Sequence, residues 1–454
     1  MTTPTNDHDS ERLERSLRVW MTEGRPPLAD RDTQIHQVLD SLDDAPQTRA
    51  RFLGRWFDRD RGVRRRTDAH EHSPTTHRRN GLMLTISGAA AALAVLALAA
   101  STLPTQQTNP SVFEASGTTH AVAADGSGDF ATIREAIEAA GNGDAITVAP
   151  GTYAETLMID KNVAITGDGV AADVVIAGGS DEESYALSDT FDCVDACAML
   201  IENAAPRLSH LTLEGGAVAL GGAPQFTDVS FDGHGLSIED AGDLVLRDSS
   251  FSVIGLSVGG ASTALVEDNS FSGGADVLLF DAADDSTVAK NEFSDGLVVV
   301  SGPTKALIDS NSFRGSGDFY SSGGAAIHVG ADWRMSGAGF EPRISNNRFD
   351  GGRVGVLVES ETEPIIEGNE FSGHNIAVQV GNSPARVSGN TISDTSSGVV
   401  VVSGGAPTIT DNVIDVTGRG IVAGSGSSPV IEGNTVCGGE YSIYVADTAT
   451  PDLG

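Results

Sequence analysis

Basic side chains are scarce in most of this chain of 454 residues, in which 63 acidic groups face 28 basic ones. Residues 101–454 hold only 13 basic groups against 49 acidic ones, because 15 arginines lie within the first 80 residues. A region with a balance of -36 is repelled by phosphate backbones, which disfavours nucleic acid as its partner. Pectate-like polyanions are disfavoured for the same reason, so a neutral or basic glycan is the easier ligand.

Cysteine is also rare, with three residues in the whole chain. Cys193 and Cys197 are four positions apart and have no histidine beside them, so they lack a complete zinc ligand set. We predict a local disulfide or two free thiols there, and no metal site. Cys437 has no evident partner. No specific motif indicates Ca²⁺, and no cofactor is predicted.

Charge is absent from one segment, residues 81–100, which is long enough at 1.5 Å per residue to cross about 30 Å of hydrocarbon. Arginines crowd before it and the next basic residue is Arg134, so the positive-inside rule places the N-terminus in the cytoplasm. We predict a single-pass membrane protein with an extracellular C-terminal part. The alternatives are a buried core helix and a secreted form cleaved near Ala99.

Residues 1–80 show two short stretches of helical periodicity followed by an arginine-rich tail. This predicts a small helical cytoplasmic segment that sets topology and attracts anionic lipid, or docks a cytoplasmic partner. Residues 101–120 are predicted to be a linker, and residues 121–454 an extracellular domain.

That domain is built from repeats. An apolar anchor residue recurs at spacings of 18 to 22 residues, with one spacing of 36 between Phe313 and Phe349. Two positions before the anchor stands an asparagine in eight units: Asn269, Asn291, Asn311, Asn347, Asn369, Asn390, Asn412 and Asn434. The units end in short alternating segments of β-branched residues, typical of strands.

Leucine-rich repeats share this period but need several leucines per unit, whereas Leu357 and Leu453 are the only leucines after Pro342. The pattern therefore favours a parallel β-helix, an all-β solenoid in which phenylalanines stack inside and asparagines form a structural ladder along one turn. Pro451 begins a further unit three residues before the end of the sequence, which suggests truncation or end-to-end self-association.

Residues 122–179 carry the most specific local signals: DGSGDF, then the amphipathic TIREAIEAA, then PGTYAE and ADVVIAGG. This stretch resembles the N-terminal cap of the pectin lyase-like right-handed β-helix superfamily, pectin methylesterases among them. The later repeats resemble NosD-like and sugar-hydrolase-type members. The resemblance implies a right-handed parallel β-helix with an N-terminal capping helix, but it is weak evidence for chemistry.

Pectin methylesterase motifs of the QDTL, DFIFG and GRPW kinds are absent, so no catalytic residue is carried over. Two acidic groups could in principle serve a hydrolase or lyase, although solvated acidic loops are the simpler interpretation: Asp181, Glu182, Glu183, Asp189, Asp192 and Asp195, and Asp276, Asp281, Asp284 and Asp285.

The 36-residue spacing predicts an inserted loop, and it contains Tyr320, His328, Trp333 and Arg334. Aromatic faces stack on sugar rings, and loops that interrupt a solenoid often carry ligand contacts. We predict that these four residues bind a cell-envelope or environmental polysaccharide. A polysaccharide lyase, glycoside hydrolase or carbohydrate esterase, and a structural or adhesive stalk, are the alternatives.

Overall fold

The computed structural model describes residues 116–179, 197–260, 262–302, 304–315, 324–330, 340–359 and 362–454. Within them the chain winds as an all-β solenoid, and each coil adds parallel strands to three long sheets. Side chains alternate between the interior and the outer surface, as the period of two in strands requires.

Sheet 1 follows each proline-rich turn. Its strands, some of which continue into sheet 2, are β1 (Thr119–Val122), β2 (Ala145–Val148), β5 (Ala164–Gly167), β8 (Arg207–Glu214), β10 (Gln225–Asp232), β12 (Asp243–Arg247), β15 (Thr263–Glu267), β18 (Thr287–Ala289), β21 (Leu307–Asp309), β24 (Arg343–Ser345), β26 (Ile365–Glu367), β28 (Arg386–Ser388), β30 (Thr408–Thr410) and β32 (Val430–Glu432).

Sheet 2 comes next in each coil and includes the second parts of β8 and β10. Its other strands are β3 (Gly151–Ala154), β6 (Val174–Ala177), β13 (Ser250–Ser252), β16 (Ser270–Ser272), β19 (Glu292–Ser294), β22 (Ser312–Arg314), β33 (Thr435–Gly438), and the first parts of β25 (Arg348–Glu359), β27 (Glu370–Gly381), β29 (Thr391–Val402) and β31 (Val413–Ala423).

Sheet 3 completes the coil and includes the second parts of β25, β27, β29 and β31. Its other strands are β4 (Leu157–Ile159), β7 (Cys197–Glu202), β9 (Gly216–Leu220), β11 (Leu236–Glu239), β14 (Leu256–Gly259), β17 (Val277–Phe280), β20 (Val298–Ser301), β23 (Ala325–Gly330) and β34 (Tyr441–Val445).

The corner between sheets 1 and 2 is tight and repeats almost unchanged from coil to coil. Each of the eight ladder asparagines accepts or donates hydrogen bonds to the asparagine of the next coil; for example, the backbone nitrogen and Nδ2 of Asn311 lie 2.9 and 3.0 Å from Oδ1 of Asn347. The residue before every ladder asparagine adopts a left-handed φ between 54° and 66°. Asp, Asn and Gly tolerate this conformation, and they fill six of the eight positions.

The interior next to this corner is filled by a stack of phenylalanines. The rings of Phe231, Phe251, Phe271, Phe293, Phe313, Phe349 and Phe371 lie parallel with centroids 4.3 to 4.9 Å apart. All seven are fully buried. Since burying such a side chain contributes roughly 2 to 3 kcal/mol, this stack stabilises each coil against its neighbours.

A short helix, α1 (Ile133–Ala139), lies against the first coil and contacts β1, β2 and β4. The Glu155 carboxylate accepts hydrogen bonds from the backbone nitrogens of Ile133 and Arg134, each at 2.9 Å. The ammonium group of Lys161 donates to three carbonyl oxygens at the other end, at 2.8 to 3.0 Å. Both unpaired ends of the helix are thus satisfied by one coil, with charges that match its dipole.

The repeats begin earlier than the asparagine register indicates, because β1 to β6 already form coils before Leu213, and the solenoid has about 13 turns. The inserted residues between Phe313 and Phe349 do not form one loop. Strand β23 divides them into two segments, 316–323 and 331–339, at different corners of the coil.

The predicted cytoplasmic segment, transmembrane helix and most of the linker lie outside the described residues. Among the residues that the structure does describe, no helix is long and apolar enough to cross a membrane.

Candidate functional site

The outer surfaces of the three sheets differ in chemistry. In each sheet, residues in register along neighbouring strands form an outer row of 13 side chains that runs the length of the described solenoid. Comparing these rows locates the surface that is unlike the rest.

The rows on sheets 1 and 2 are polar. The sheet 1 row contains a single apolar residue, Ala289, among Thr147, Thr166, Ser209, Thr227, Arg247, Glu267, Ala289, Asp309, Ser345, Glu367, Ser388, Thr410 and Glu432. The sheet 2 row contains two valines among Thr152, Val175, Thr212, Ser230, Ser250, Ser270, Glu292, Ser312, Arg348, Glu370, Thr391, Val413 and Thr435.

The row on sheet 3, which we name the apolar row, has eight aliphatic or methionine side chains and one tyrosine. Its members are Met158, Leu200, Val218, Ser237, Ser257, Leu278, Val299, His328, Leu357, Gln379, Val400, Val422 and Tyr444. A continuous apolar surface of this kind on a soluble fold marks an interaction site.

Two parts of the apolar row form small clusters outside the main core. Leu200 and Val218 pack with Cys197 and Leu220, and Leu357 packs with Ala325, Val354 and Ile376. Other members, including Leu278, Val299, Val400 and Val422, are half-buried. Phe280, on the same face beside Leu278, adds an aromatic ring that is also half-buried.

The corner between sheets 2 and 3 extends this apolar surface. Val253 is 59% exposed and Ile254 is 39% exposed, directly before β14. Val253 has a φ of 78°, a left-handed conformation that costs roughly 1 to 2 kcal/mol for a residue with a side chain on Cβ. Strained backbone of this kind concentrates at functional sites.

His328 lies in the middle of the apolar row, on β23. Its Nε2 atom is 3.2 Å from a carboxylate oxygen of Glu359 on the next strand of the sheet. The histidine side chain is 19% exposed and that of Glu359 is 55% exposed. A carboxylate that orients an imidazole gives this surface a polar group able to bond a hydroxyl.

The other three residues of the predicted glycan site, Tyr320, Trp333 and Arg334, lie outside the described residues. Segments 316–323 and 331–339, which contain them, join the two ends of β23 directly. Of the four, His328 is therefore the residue that the structure places, and it stands on the outer face of sheet 3.

The two acidic groups also divide between described and undescribed parts. Asp181 to Asp195 lie outside the described residues. In the second group, an oxygen of Asp276 accepts a hydrogen bond from the backbone nitrogen of Leu297, and one of Asp284 accepts from that of Lys305. These carboxylates hold turns together. No group of three potential metal ligands occurs among the described residues.

Of the cysteines, Cys197 is disulfide-bonded and Cys437 is free and exposed. Cys193 lies outside the described residues.

A cavity of about 400 Å³ closes the apolar row at the N-terminal end. Met158 and Leu200 of the row lie at its wall, together with Arg134 and Glu138 of α1. Asp160, Lys161 and Glu202 add charge around it.

The apolar row is the feature that the repeat and motif search missed. Its signal was present in the sequence as unbroken apolar runs, VLLF in β17 and VVV in β20, where a strand with one solvated face would alternate.

Comparison with known proteins identifies the architecture. Residues 296–453 match the family model for a right handed beta helix region. Among solved structures, the A-module of the mannuronan C-5 epimerase AlgE4 from Azotobacter vinelandii is 17% identical, with a TM-score of 0.40, and the match covers 71% of this chain and 95% of that one.

The catalytic unit of an alpha-1,3-glucanase from Streptomyces thermodiastaticus is 14% identical, with a TM-score of 0.39 and coverage of 71% and 64%. A tailspike protein of the E. coli bacteriophage HK620, in complex with a pentasaccharide, is 12% identical, with a TM-score of 0.36 and coverage of 66% and 62%. At such values the likeness carries no argument about activity. No curated protein matches the chain.

Proposed function

The chain belongs to the right-handed parallel β-helix superfamily, and from this premise we propose that it binds a neutral polysaccharide along the outer face of sheet 3. The observation that carries the proposal is the contrast among the outer rows, with eight aliphatic or methionine side chains on sheet 3 against one and two on the other sheets. Solubility alone gives no reason for that contrast.

The shape of the surface favours a polymer over a small molecule. At about 4.8 Å between neighbouring strands, 13 coils extend the row over roughly 58 Å. Small-molecule sites are concave and enclosed, whereas this row is an open face. Sugar rings present apolar faces and hydroxyl edges, which suit the alternation of Leu278 and Val299 with His328 and Gln379.

Charge supports a neutral polymer. The region from residue 101 onward carries 49 acidic groups against 13 basic ones, so a polyanion pays for its approach with repulsion.

We further propose that residues 81–100 anchor the protein in the cell membrane, with residues 121–454 outside and the N-terminus in the cytoplasm. Twenty uncharged residues preceded by clustered arginines support this topology. Secretion after cleavage near Ala99 is the alternative. Fractionation of cells that express a tagged full-length chain distinguishes the two, because cleavage releases the tagged C-terminal part from the membrane.

Binding is tested with the full-length chain on immobilised dextran, mannan, laminarin, chitosan and polygalacturonate. We expect at least one of the first four to bind, and polygalacturonate not to bind. Val299→Thr combined with Val400→Thr adds two hydroxyls to the apolar row and is expected to weaken binding roughly tenfold, about 1.4 kcal/mol.

The matched control is Val175→Thr combined with Val413→Thr, which makes the same two changes in the sheet 2 row. Equal binding by the two double variants would remove the apolar row from the proposal. If none of the neutral polymers or chitosan binds, a structural or adhesive stalk becomes the better interpretation.

An enzymatic role is the second candidate, favoured by the pairing of His328 with Glu359 on the proposed binding face. A histidine oriented by a carboxylate can act as a general base in polysaccharide cleavage. His328→Gln is then expected to abolish release of new reducing ends from the bound polymer while its binding persists. Absence of any product with the unaltered chain contradicts this candidate.

End-to-end self-association remains a proposal, supported by exposed apolar side chains in the last coil such as Tyr441, Tyr444 and Leu453. Light scattering of the purified chain over a range of concentrations tests it.

A further inference from the structure

The cavity beside α1 lies where the apolar row begins. Strand β4 pairs with β7 and is the first strand of sheet 3 in the described part of the chain. Helix α1 packs against β4, and its residues Arg134 and Glu138 face the same cavity as Met158 and Leu200 of the row. A polymer that follows the row toward the N-terminus therefore meets a helical wall.

The cavity has the size and lining of a ligand site. Its volume of about 400 Å³ falls within the range of roughly 300 to 1,000 Å³ that is usual for small-molecule pockets. Met158 is 44% exposed and supplies an apolar contact surface. Such a wall with a few polar groups around it is the usual construction of a sugar or cofactor pocket.

The charges around the cavity favour one class of sugar. The ammonium group of Lys161 already donates to three carbonyl oxygens of the helix end. Three carboxylates, of Glu138, Asp160 and Glu202, also line the cavity, against the single guanidinium of Arg134. Carboxylates accept hydrogen bonds from hydroxyl and ammonium groups and repel the carboxylate of a uronate.

We propose that this cavity, the terminal cavity, binds the end residue of a polysaccharide built from neutral or amino sugars, so that the protein recognises chain ends. The inference rests on the proposed function, because the rest of the polymer would lie along the apolar row. Its new content is that affinity depends on the number of chain ends and on Met158.

The test compares dextran, mannan, laminarin and chitosan, each intact and partly depolymerised, at equal mass on the full-length chain. Recognition of ends predicts that binding per unit mass rises in proportion to the number of chain ends. Met158→Trp fills the cavity and is expected to abolish that rise and to lower the affinity for the shortened polymer at least tenfold. Thr152→Trp is the control, because Thr152 is exposed on sheet 2 in the same coil.

Equal binding per unit mass by intact and shortened polymers would overturn the terminal cavity, as would a rise that survives in Met158→Trp. These failures leave the apolar row standing if Val299→Thr with Val400→Thr still weakens binding. Conversely, sensitivity to Met158→Trp together with indifference to that double variant keeps the terminal cavity and removes the row. Failure of every polymer to bind overturns both proposals.

Discussion

The corner between sheets 1 and 2 and the outer face of sheet 3 belong to the same coils but follow different rules. The corner repeats one arrangement eight times, with buried amides in hydrogen-bonding register and a left-handed residue before each. The sheet 3 face changes residue type from coil to coil and lies between the two corners that take up inserted segments. The difference indicates that the first region holds the coils together and the second is available to a ligand.

The largest expected effect separates two phenylalanines in neighbouring positions of the solenoid. Phe293 is buried in the aromatic stack, whereas Phe280 is half-buried on the sheet 3 face. Phe293→Ala should lower the free energy of unfolding by about 4 kcal/mol, because it leaves a cavity in the core. Phe280→Ala should cost about 1 kcal/mol and instead weaken polysaccharide binding.

Urea denaturation of both variants, with binding measured in parallel, checks this pair. Equal losses of stability would show that the sheet 3 face is as structural as the core, and would break the distinction drawn above.

Asn347→Ala is expected to cost about 3 kcal/mol of unfolding free energy. The change removes the acceptor of Asn311 and the donor to the carbonyl oxygen of Ile308, and so leaves buried polar groups unpaired. Asn375→Ala, at an exposed position before the sheet 3 part of β27, is the control and should cost less than 0.5 kcal/mol by order of magnitude. A loss below about 1 kcal/mol at Asn347 would show that the ladder is replaceable by water.

His374 makes the interior sensitive to acid. The side chain is 3% exposed, its ring meets Phe349 and Phe371 edge-on, and neither ring nitrogen has a hydrogen-bond partner. Burial lowers the pKa of His374 from 6.5 to about 4, although Asp350 acts in the opposite direction. The folded protein therefore binds this proton less readily than the unfolded chain does.

Stability contributed by neutral His374 is complete above pH 6.5 and is lost as the pH falls toward 4, by roughly 3 kcal/mol in total. His374→Leu should remove this part of the acid sensitivity, so that the difference in unfolding free energy between variant and unaltered chain changes between pH 7 and 4. A difference that stays constant over that range contradicts the assignment.

The smallest expected effects come from two residues with left-handed backbone. Ser310→Gly in the asparagine corner and Val253→Gly beside the sheet 3 face each relieve a positive φ and should stabilise the fold by about 1 kcal/mol, less the entropy that glycine gains on unfolding. Val253→Gly also removes an exposed apolar side chain, so it alone should weaken binding. Thermal unfolding and polymer binding of both variants provide the comparison.

The fold could be predicted from sequence because its regularity is local. Each asparagine, the left-handed residue before it and the phenylalanine two positions later make one turn, and a fixed period stacks these turns in register. The earliest coils were harder to read, since the positions before Leu213 carry neither the phenylalanine nor the asparagine.

The candidate site could be predicted only in part. Loop composition drew attention to His328, and the structure places it on sheet 3 beside Glu359. The apolar row depends on which face of each strand turns outward and which strands share a sheet. Short runs such as VLLF do not reveal this, because they suit a buried strand equally well. The terminal cavity needs the position of α1, which no motif specifies.

Hydroxyl-radical footprinting of the full-length chain with and without the bound polysaccharide tests the central claim most directly. The account predicts protection of Leu278, Val299, Val400 and Tyr444 on sheet 3, with no change at Val413 on sheet 2. Protection at Val413 with none at Leu278 and Val299 would contradict it.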